Sequence, residues 1–402
     1  MLVPHAPAEW STDPECALVV RLLKSQSLLN EIAGSQLSEM ALQTTLRKQY
    51  PDDLVRAAVA LVELRRRAAA KFTRADRMWL ERQGLEQATS EPVARHKAQR
   101  FRGHVWDLCC GIGGDTIALA EHCEEVVAID RAPAATLRTV LNAQVYGVGD
   151  RVRPVCASVE AVWQDVAGQL VHIDPDRRPG SGGRAMKIED YVPSLDVLRT
   201  LQQTARGGAI KLGPASNFGG KFPDVEIELV SLHGECKEAT VWFGELAGAG
   251  PFRATALPSG ETLAGHPLEV AAEVRPLERY LFDPDPAIVR AGLLDLLAVQ
   301  LGLSRLDAAE EYLTGPQTVA SPFVQAFAVE AELPNNERQI REALRKSSFG
   351  ELEIKCRHVP INADALRRRL PLPGNEPGVL LFARIGEKTR AVLARRVRGS
   401  QE

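Results

Sequence analysis

The segment HVWDLCCGIGGDTIALAEHCEEVVAID, residues 104–130, decides the fold of this chain. Residues 105–108 form a short run that fits a buried strand, and the glycine-rich run 111–114 follows at once. Asp115 opens a predicted apolar helix, and residues 125–130 predict a second strand ending on Asp130. Glycines allow a close backbone approach to a ligand, the helix behind them points free N–H groups at it, and a carboxylate ending the second strand is a usual acceptor for ribose hydroxyls. The segment therefore predicts a nucleoside-containing ligand.

Two residues of this segment distinguish between candidate ligands. A dinucleotide-binding fingerprint requires a third glycine, where this chain has Thr116. Asp107 adds a carboxylate within the first strand, just before the glycines. A carboxylate repels a pyrophosphate but attracts a cationic amino-acid group. The segment therefore favours S-adenosylmethionine over NAD.

The motif D-x-x-C-G-x-G-G-D, residues 107–115, and the later acid Asp130 resemble motif I and the second-strand acid of class I S-adenosylmethionine-dependent methyltransferases. The resemblance implies that Asp107 and the glycine backbone line the methionine end of the cofactor. It also implies that Asp130 binds the ribose hydroxyls, with Arg131 beside it. Ser158 stands where the family often has an acid that meets the adenine.

A helix start precedes the glycine motif, at Thr89-Ser90-Glu91-Pro92, with a hydroxyl cap and then proline in the first turn. It is similar to the T-P-E-x-x-A helix of trimethylguanosine-synthase-like RNA methyltransferases, which borders their cofactor pocket. That likeness implies residues 87–89 at the pocket rim, while a plain helix entry explains the same residues. The cofactor-binding residues implied by these resemblances are Asp107, Cys109, Gly111, Gly113, Gly114, Asp115, Asp130, Arg131, Ser158 and Thr89.

Strands and helices alternate after residue 130, as a doubly wound parallel sheet requires. Predicted strands cover residues 151–156, 169–174 and 209–212, and an antiparallel hairpin covers 225–232 and 239–246. The predicted fold class is α/β, with a Rossmann-like class I methyltransferase core whose parallel sheet is closed by the hairpin.

The chemistry of transfer is expected at the carboxyl end of the fourth strand, in the sequence HIDPDRR of residues 172–178. This site resembles the pattern of methyltransferases that act on amines, which is N/D/S-P-P followed by an aromatic residue. Asp174 and Pro175 match that pattern, whereas Asp176 and Arg177 depart from it, so the amine-orienting half is present and the base-stacking half is missing. The predicted catalytic residues are Asp174, Pro175 and Lys211.

Lys211 lies within an apolar fifth strand and therefore needs a partner, which we predict to be Asp174 or Asp176. Phosphate contacts or a solvated loop both explain the arginines that follow Asp176. Phe218 is an aromatic candidate to replace the missing stacking residue, and simple packing also explains it. The predicted substrate-binding residues are Asp176, Arg177, Arg178 and Phe218.

Helical patterns flank the core, and the predicted domains are a helical N-terminal module at 1–100, the methyltransferase domain at 101–250, a linker at 251–275 and a C-terminal domain at 276–402. The C-terminal domain reads as helices followed by a small α+β unit. The sequences L-E-I-K, L-R-R-x-L and L-x-x-R within residues 352–396 resemble a THUMP-like domain. THUMP domains proper bind RNA, so this resemblance implies RNA as a partner.

The charge distribution points the same way. Residues 47–102 contain 14 Lys and Arg against 7 Asp and Glu, and residues 337–398 contain 15 against 7, although the whole chain has a net charge of −3. Basic flanks around an acidic core suggest a polyanionic substrate, whereas solvated helix faces are the alternative explanation.

The remaining features suggest a cytoplasmic protein. The seven cysteines form no C-x-x-C pair and no metal-ligand spacing, so reduced thiols and no bound metal are expected. No signal peptide or membrane-spanning run is evident. We therefore predict a methyltransferase that uses S-adenosylmethionine and acts on RNA. The alternatives are a methyltransferase for a small molecule or protein, and a catalytically silent RNA-binding protein.

Overall fold

The fold is described for residues 6–177, 187–357, 359 and 361–397, from a computed structural model. Contacts divide the chain into two units. The first contains Met1–Glu226 and Glu238–Ala249, and the second contains Ile227–Lys237 and Gly250–Glu402. Among the described residues, no helix is both long and apolar enough to cross a membrane.

Six helices begin the first unit. They are α1 (Pro14–Leu23), α2 (Gln26–Gly34), α3 (Glu39–Leu46), α4 (Asp52–Ala68), α5 (Arg82–Gln87) and α6 (Glu91–Ala98). In α4, acids occupy the first turn and arginines the last turn, which complements the helix dipole. The apolar side of α4 includes Val55, Ala58 and Leu61, which are buried in one hydrophobic cluster with Ile117 and Leu137 from beyond residue 100.

A sheet flanked by helices follows, with β1 (His104–Leu108), α7 (Gly114–His122), β2 (Glu125–Asp130), α8 (Pro133–Tyr146), β3 (Val152–Cys156), α9 (Val159–Val162), β4 (Leu170–Ile173), α10 (Leu195–Thr204), β5 (Gly207–Leu212), β6 (Glu226–Leu232) and β7 (Glu235–Gly244). Within the first unit the strand order is β3-β2-β1-β4-β5-β7. The first five strands are parallel and β7 is antiparallel to β5. The strand order reverses direction beside β1, so the carboxyl ends of β1 and β4 flank a crevice of the kind that binds ligands.

The predicted hairpin is confirmed. β6 and β7 follow one another through a two-residue turn, His233-Gly234, whose φ angles are 53° and 76°. Positive φ at both positions defines the turn type that suits antiparallel neighbours. The α/β class I methyltransferase core predicted from the sequence is therefore present.

In the second unit, β6 pairs in parallel with β8 (Phe252–Leu257), which pairs antiparallel with β9 (Glu261–Gly265). The remaining elements are β10 (Tyr280–Pro284), α11 (Pro286–Ala291), α12 (Leu294–Leu301), β11 (Ser304–Arg305), β12 (Leu313–Gly315), β13 (Val324–Pro334), α13 (Glu337–Arg345), β14 (Phe349–Cys356), α14 (Ala363–Arg367), β15 (Glu376–Ile385) and β16 (Lys388–Arg396). Their seven strands are ordered β11-β12-β10-β13-β16-β15-β14.

Alternation along β15 explains why this sheet is covered on both faces. Leu381 and Ala383 belong to a hydrophobic cluster with Phe327, whereas Leu380 and Phe382 belong to another cluster with Leu344 of α13. Successive side chains of a strand point to opposite faces, so a continuous apolar run requires that both faces of the sheet be covered. The helices and strands predicted for the C-terminal α+β unit are thus found in the chain.

The predicted domain boundaries differ from the structure in two places. Residues 1–100 do not form a separate helical module, because their apolar residues share a cluster with Ile112, Ile117, Leu137 and Leu141 of the core. Residues 251–275 are not simply a linker, because they include β8 and β9. Periodicity identifies an element from its own residues, but it does not show which elements share a core.

The glycine loop is held by a left-handed residue that has no room for a side chain. Gly113 precedes α7 with φ of 87°, and a Cβ there would lie 3.1 Å from Thr139 Cα in α8. The loop is also pinned by a hydrogen bond from Cys110 N to Ile129 O, 2.9 Å long.

We expect Gly113→Ala to lower the free energy of unfolding by roughly 1–3 kcal/mol, because it combines left-handed strain with a backbone contact. Urea unfolding followed by circular dichroism measures this change. Gly34→Ala is the matched control, since no atom lies within 4 Å of its added Cβ, and its stability should stay within about 1 kcal/mol of wild type. Equal midpoints for the two variants would contradict the packing argument.

Candidate active site

A cavity of about 380 Å³ lies at the carboxyl ends of the strands in the first unit. Most of the predicted site residues line it, namely Thr89, Asp107, Cys109, Gly111, Gly114, Asp115, Asp130, Arg131, Ser158, Asp174, Pro175, Asp176 and Arg177. Gln87 and Ala88 also line it, as predicted for the pocket rim. Residues that are far apart in sequence are therefore brought together at the predicted crevice.

Three described residues of the predicted site are placed differently. Gly113 packs against Thr139, and Lys211 lies behind the cavity lining, where it contacts Asp174 and Gln87. Phe218 is not part of the cavity lining and is 6% exposed, so the prediction that it binds substrate is replaced by a packing role. Arg178 lies outside the described residues.

Asp107 is engaged by protein groups on both oxygens. Thr116 Oγ1 donates a hydrogen bond to Oδ2, and His172 Nδ1 lies 2.7 Å from Oδ1. The carboxylate is 1% exposed. These contacts make Asp107 an anchor that joins β1 to β4 and α7, and because it also lines the cavity, its role at the cationic end of the cofactor stays a prediction. His172 was not predicted, although it stands opposite Asp107 in the β1–β4 register.

Asp115 belongs to a second buried cluster. Its Oδ2 accepts a hydrogen bond of 2.6 Å from Thr89 Oγ1, and its Oδ1 lies 3.0 Å from Lys97 Nζ. Lys97 is 3% exposed and also contacts Glu238 Oε1 at 2.9 Å. Burial acts to raise the pKa of Asp115, but the charges of Lys97 first, and of His172 next, hold that pKa well below its usual range.

Sequence reasoning missed Lys97. Its position, three residues after Ala94 and four before Phe101, places it on the buried side of α6. A lysine at a core position of an amphipathic helix signals a buried acidic partner, because an isolated buried charge is too costly to retain.

Asp130 is oriented by backbone groups. Gly111 N donates to Oδ2 at 3.1 Å and Ala132 N donates to Oδ1 at 2.9 Å. Burial raises the pKa of this carboxyl, and the two N–H groups partly offset the effect. The side chain is therefore held at the tip of β2, where it borders the cavity.

The two loop cysteines are not activated nucleophiles. Burial first, and the negative charge of Asp130 next, raise the pKa of Cys109 and Cys110 well above the usual thiol value. A nucleophilic cysteine requires a lowered pKa.

Close to Asp115, from which Lys211 Nζ lies 3.9 Å away, the predicted partner of Lys211 is confirmed. Its Nζ forms an ion pair with Asp174 Oδ2 and lies 3.4 Å from the carbonyl oxygen of Gln87. Lys211 is 4% exposed, whereas Asp174 is half-buried and borders the cavity. The pair places a carboxylate with a fixed orientation where the fourth strand ends.

The cavity has the charge and the open backbone that S-adenosylmethionine needs. Among the described residues, eight carboxylate side chains and three arginines line it, which favours a cationic sulfonium and ammonium. Gly111 has φ of 56° and no atom within 4 Å of its Cβ position, so its backbone is open to a ligand.

Comparisons with known proteins agree with this geometry. The chain is 35% identical over 336 residues to the "Uncharacterized S-adenosylmethionine-dependent methyltransferase" of Mycobacterium tuberculosis strain CDC 1551, covering 80% of this chain and 91% of that protein. The same values hold for its counterpart in strain H37Rv. This chain belongs to the S-adenosylmethionine-dependent methyltransferases.

Other comparisons match separate segments of this methyltransferase and its fold. A family model for RNA cap guanine-N2 methyltransferases matches residues 102–187, a THUMP domain-like model matches 324–396, and a domain of unknown function matches 24–68. A crystal structure of a methyltransferase from Porphyromonas gingivalis W83 is 18% identical, covers 95% of this chain and 98% of its own, and has a TM-score of 0.75. At that identity it supports the fold alone.

N-terminal residues of the methyltransferase also reach the cavity, which sequence reasoning missed. Glu15 of α1 forms an ion pair of 2.6 Å with Arg138 of α8, and both line the cavity. Trp10 Nε1 donates to Thr136 Oγ1 at 2.9 Å. The N-terminal helices therefore contribute to the wall beside β2 and α8.

We expect Lys97→Met to lower the free energy of unfolding by roughly 3–5 kcal/mol, because Asp115 and Glu238 would stay buried without their shared cation. Urea denaturation measures the change. Lys24→Met removes an exposed lysine and should change stability by no more than about 0.5 kcal/mol. A Lys97 variant as stable as the Lys24 variant would show that the buried pair adds nothing.

The pH dependence of stability should shift in the same variant. The folded-state pKa of Asp115 lies below its unfolded value, so its stabilising contribution is complete above about pH 4 and is lost as the pH falls through the folded pKa. Lys97→Met removes the strongest charge that lowers this pKa, so the variant should lose less stability than wild type as the pH falls, and the difference between the two proteins should narrow in acid. Thermal midpoints measured from about pH 7 to about pH 3 would reveal the shift, and parallel curves would contradict it.

Proposed function

We propose that this methyltransferase transfers the methyl group to a nitrogen of RNA. The observation that carries the proposal is the arrangement at the end of β4, where Asp174 and Pro175 keep the amine-orienting half of the pattern and Lys211 orients the carboxylate. The family model for RNA cap guanine-N2 methyltransferases matches residues 102–187, which include both the glycine loop and this motif.

In this proposal, the cavity residues divide between cofactor and acceptor. S-adenosylmethionine supplies an electrophilic methyl group on a positively charged sulfur. The backbone around Gly111 and Gly114 approaches the methionine portion, Asp130 accepts from the ribose hydroxyls, and Ser158 lies at the adenine end. Asp174 accepts a hydrogen bond from the acceptor amine, so that the nitrogen lone pair points along the line of displacement.

RNA as the substrate class has three supports. A THUMP domain-like model matches residues 324–396. A 23S rRNA (uracil(747)-C(5))-methyltransferase of Vibrio vulnificus is 30% identical over 90 residues, which is 22% of this chain and 24% of that protein. In the second unit, Arg338, Arg345 and Arg368 are exposed on or beside α13 and α14, where they suit phosphate contacts.

The N-terminal basic flank, residues 47–102, supports RNA binding less than its number of Lys and Arg residues suggests. Lys97 is buried with Asp115 and Glu238, and Arg100 pairs with Glu226 at 2.6 Å. Lys71 Nζ donates to the carbonyls of Leu85 and Ala88. Such residues stabilise the first unit and are not a surface for a polyanion, so the RNA proposal depends on the acceptor motif and the C-terminal unit.

We expect Asp130→Ala to weaken S-adenosylmethionine binding by roughly ten- to hundredfold, because it removes the ionised acceptor proposed for the ribose. Isothermal titration calorimetry measures the dissociation constant. Glu124→Ala, an exposed acid before β2, is the control and should bind like wild type. Unchanged affinity in Asp130→Ala would remove Asp130 from the cofactor site.

We expect Asp174→Ala to lower the rate of methyl transfer to RNA by roughly a hundredfold or more, while cofactor binding is retained. The assay measures labelled methyl transfer from S-adenosylmethionine to bulk RNA purified from cells lacking this protein. Asp165→Ala, which removes an exposed acid away from the cavity, is the control.

Transfer by wild type that weakens steeply as salt rises supports an RNA substrate, because phosphate contacts are salt-dependent. No transfer to RNA from wild-type protein that binds the cofactor would favour a small-molecule or protein acceptor instead.

A further inference from the structure

The acceptor loop departs from the family pattern at Asp176, and the structure shows what the aspartate does there. Asp176 N donates a hydrogen bond of 2.7 Å to Val192 O, and Val192 N donates one of 3.0 Å to Asp176 O. A proline at position 176 has no N–H and would remove the first of these bonds. The rigidity that a second proline would supply is therefore replaced by a two-bond bridge to another segment.

The side chain of Asp176 is held from the opposite direction. Gln87 Nε2, at the end of α5, donates to Asp176 Oδ1 at 3.0 Å. The carbonyl oxygen of the same Gln87 lies 3.4 Å from Lys211 Nζ, and Lys211 pairs with Asp174. These contacts and the backbone of residues 174–176 thus form a closed ring that includes Pro175, in which Gln87 contacts both Asp176 and Lys211.

Gln87 is itself firmly placed. Lys71 Nζ donates to the carbonyl oxygens of Leu85 at 2.8 Å and Ala88 at 2.9 Å, which ends α5 at a defined position. Thr89 is then fixed by its bond to Asp115. A half-buried amide held in this way restricts the loop more than an exposed side chain could, because little of its freedom remains to be lost.

We propose that Gln87 is a positioning residue, which acts through Asp176 to hold Asp174 and Pro175 in the geometry for methyl transfer. The inference rests on the proposed function, since the acceptor is taken to meet Asp174. It predicts that disturbing Gln87 lowers kcat more than it changes cofactor affinity. A displacement of about 1 Å at a reacting centre costs up to about a hundredfold in rate.

The decisive experiment breaks the hydrogen bond between Gln87 and Asp176 and then restores it with donor and acceptor exchanged. Gln87→Glu places a carboxylate against the carboxylate of Asp176, and should lower kcat for methyl transfer to bulk RNA by about ten- to hundredfold. Adding Asp176→Asn supplies an amide donor at the other end, so the double variant should come within about threefold of the single Asp176→Asn variant, which reports any loss of a substrate contact at position 176. Arg82→Ala, on the exposed side of α5, controls for damage to the helix.

Cofactor dissociation constants should agree within about threefold for all these proteins, which separates positioning from binding. A double variant that stays well below the rate of Asp176→Asn alone would overturn the proposal. So would an equal fall in rate for Arg82→Ala, because the effect would then come from α5 as a whole.

Hydrogen exchange gives a readout that does not depend on the acceptor. Loss of the Gln87 contact should speed amide exchange in peptides spanning residues 170–177, and the double variant should restore protection. If wild type transfers no methyl group to RNA, the RNA proposal fails while this measurement still tests the ring. Unchanged exchange in Gln87→Glu would overturn the positioning role whatever the acceptor is.

Discussion

The buried ammonium of Lys97 is the interaction on which the rest of the site depends. It lies between Asp115 at the start of α7 and Glu238 in β7, and all three side chains are at most 8% exposed. A buried charge is tolerated only when opposite charges and hydrogen bonds offset its desolvation. This requirement fixes α6, α7 and β7 relative to one another, and Asp115 in turn fixes Thr89 at the cavity rim.

A second buried polar cluster continues the arrangement across the parallel strands. His172 in β4 contacts Asp107 in β1 and lies 3.9 Å from Asp115. These strands flank the point where the strand order reverses, so the polar groups occupy the place where a doubly wound sheet leaves a crevice. These contacts therefore fix the polar side chains that border the cavity beside the glycine loop. The loop itself contributes an exposed backbone.

The acceptor end is organised by a different principle. Asp174, Pro175 and Asp176 follow a buried strand but are held from outside, by Lys211, Val192 and Gln87. Departure from the usual proline changes how the loop is fixed without removing the carboxylate that faces the acceptor. A motif that keeps only its Asp-Pro half can thus retain its chemistry when new contacts replace the rigidity of the second proline.

The features that the sequence predicted are local, whereas the features that it missed depend on residues far apart in the chain. The strand–loop–helix–strand unit, its ligand class and the α/β core follow from spacing within about 30 residues, because glycine conformation, strand length and helix starts are local properties. The hairpin at His233-Gly234 and the pairing of Lys211 with Asp174 were predicted for the same kind of reason. A charge inside an apolar strand must find a partner nearby.

Other features depend on residues that meet only after packing. Lys97 and Glu238 are 141 positions apart, Gln87 and Asp176 are 89 apart, and Asp107 and His172 are 65 apart. Their approach is set by how helices and strands bury their apolar faces together, which no local pattern encodes. The sequence by itself thus determined the cofactor class and the core topology. Only the tertiary structure decided that Asp107 anchors two strands, that Phe218 packs away from the cavity, and that the first hundred residues share the core.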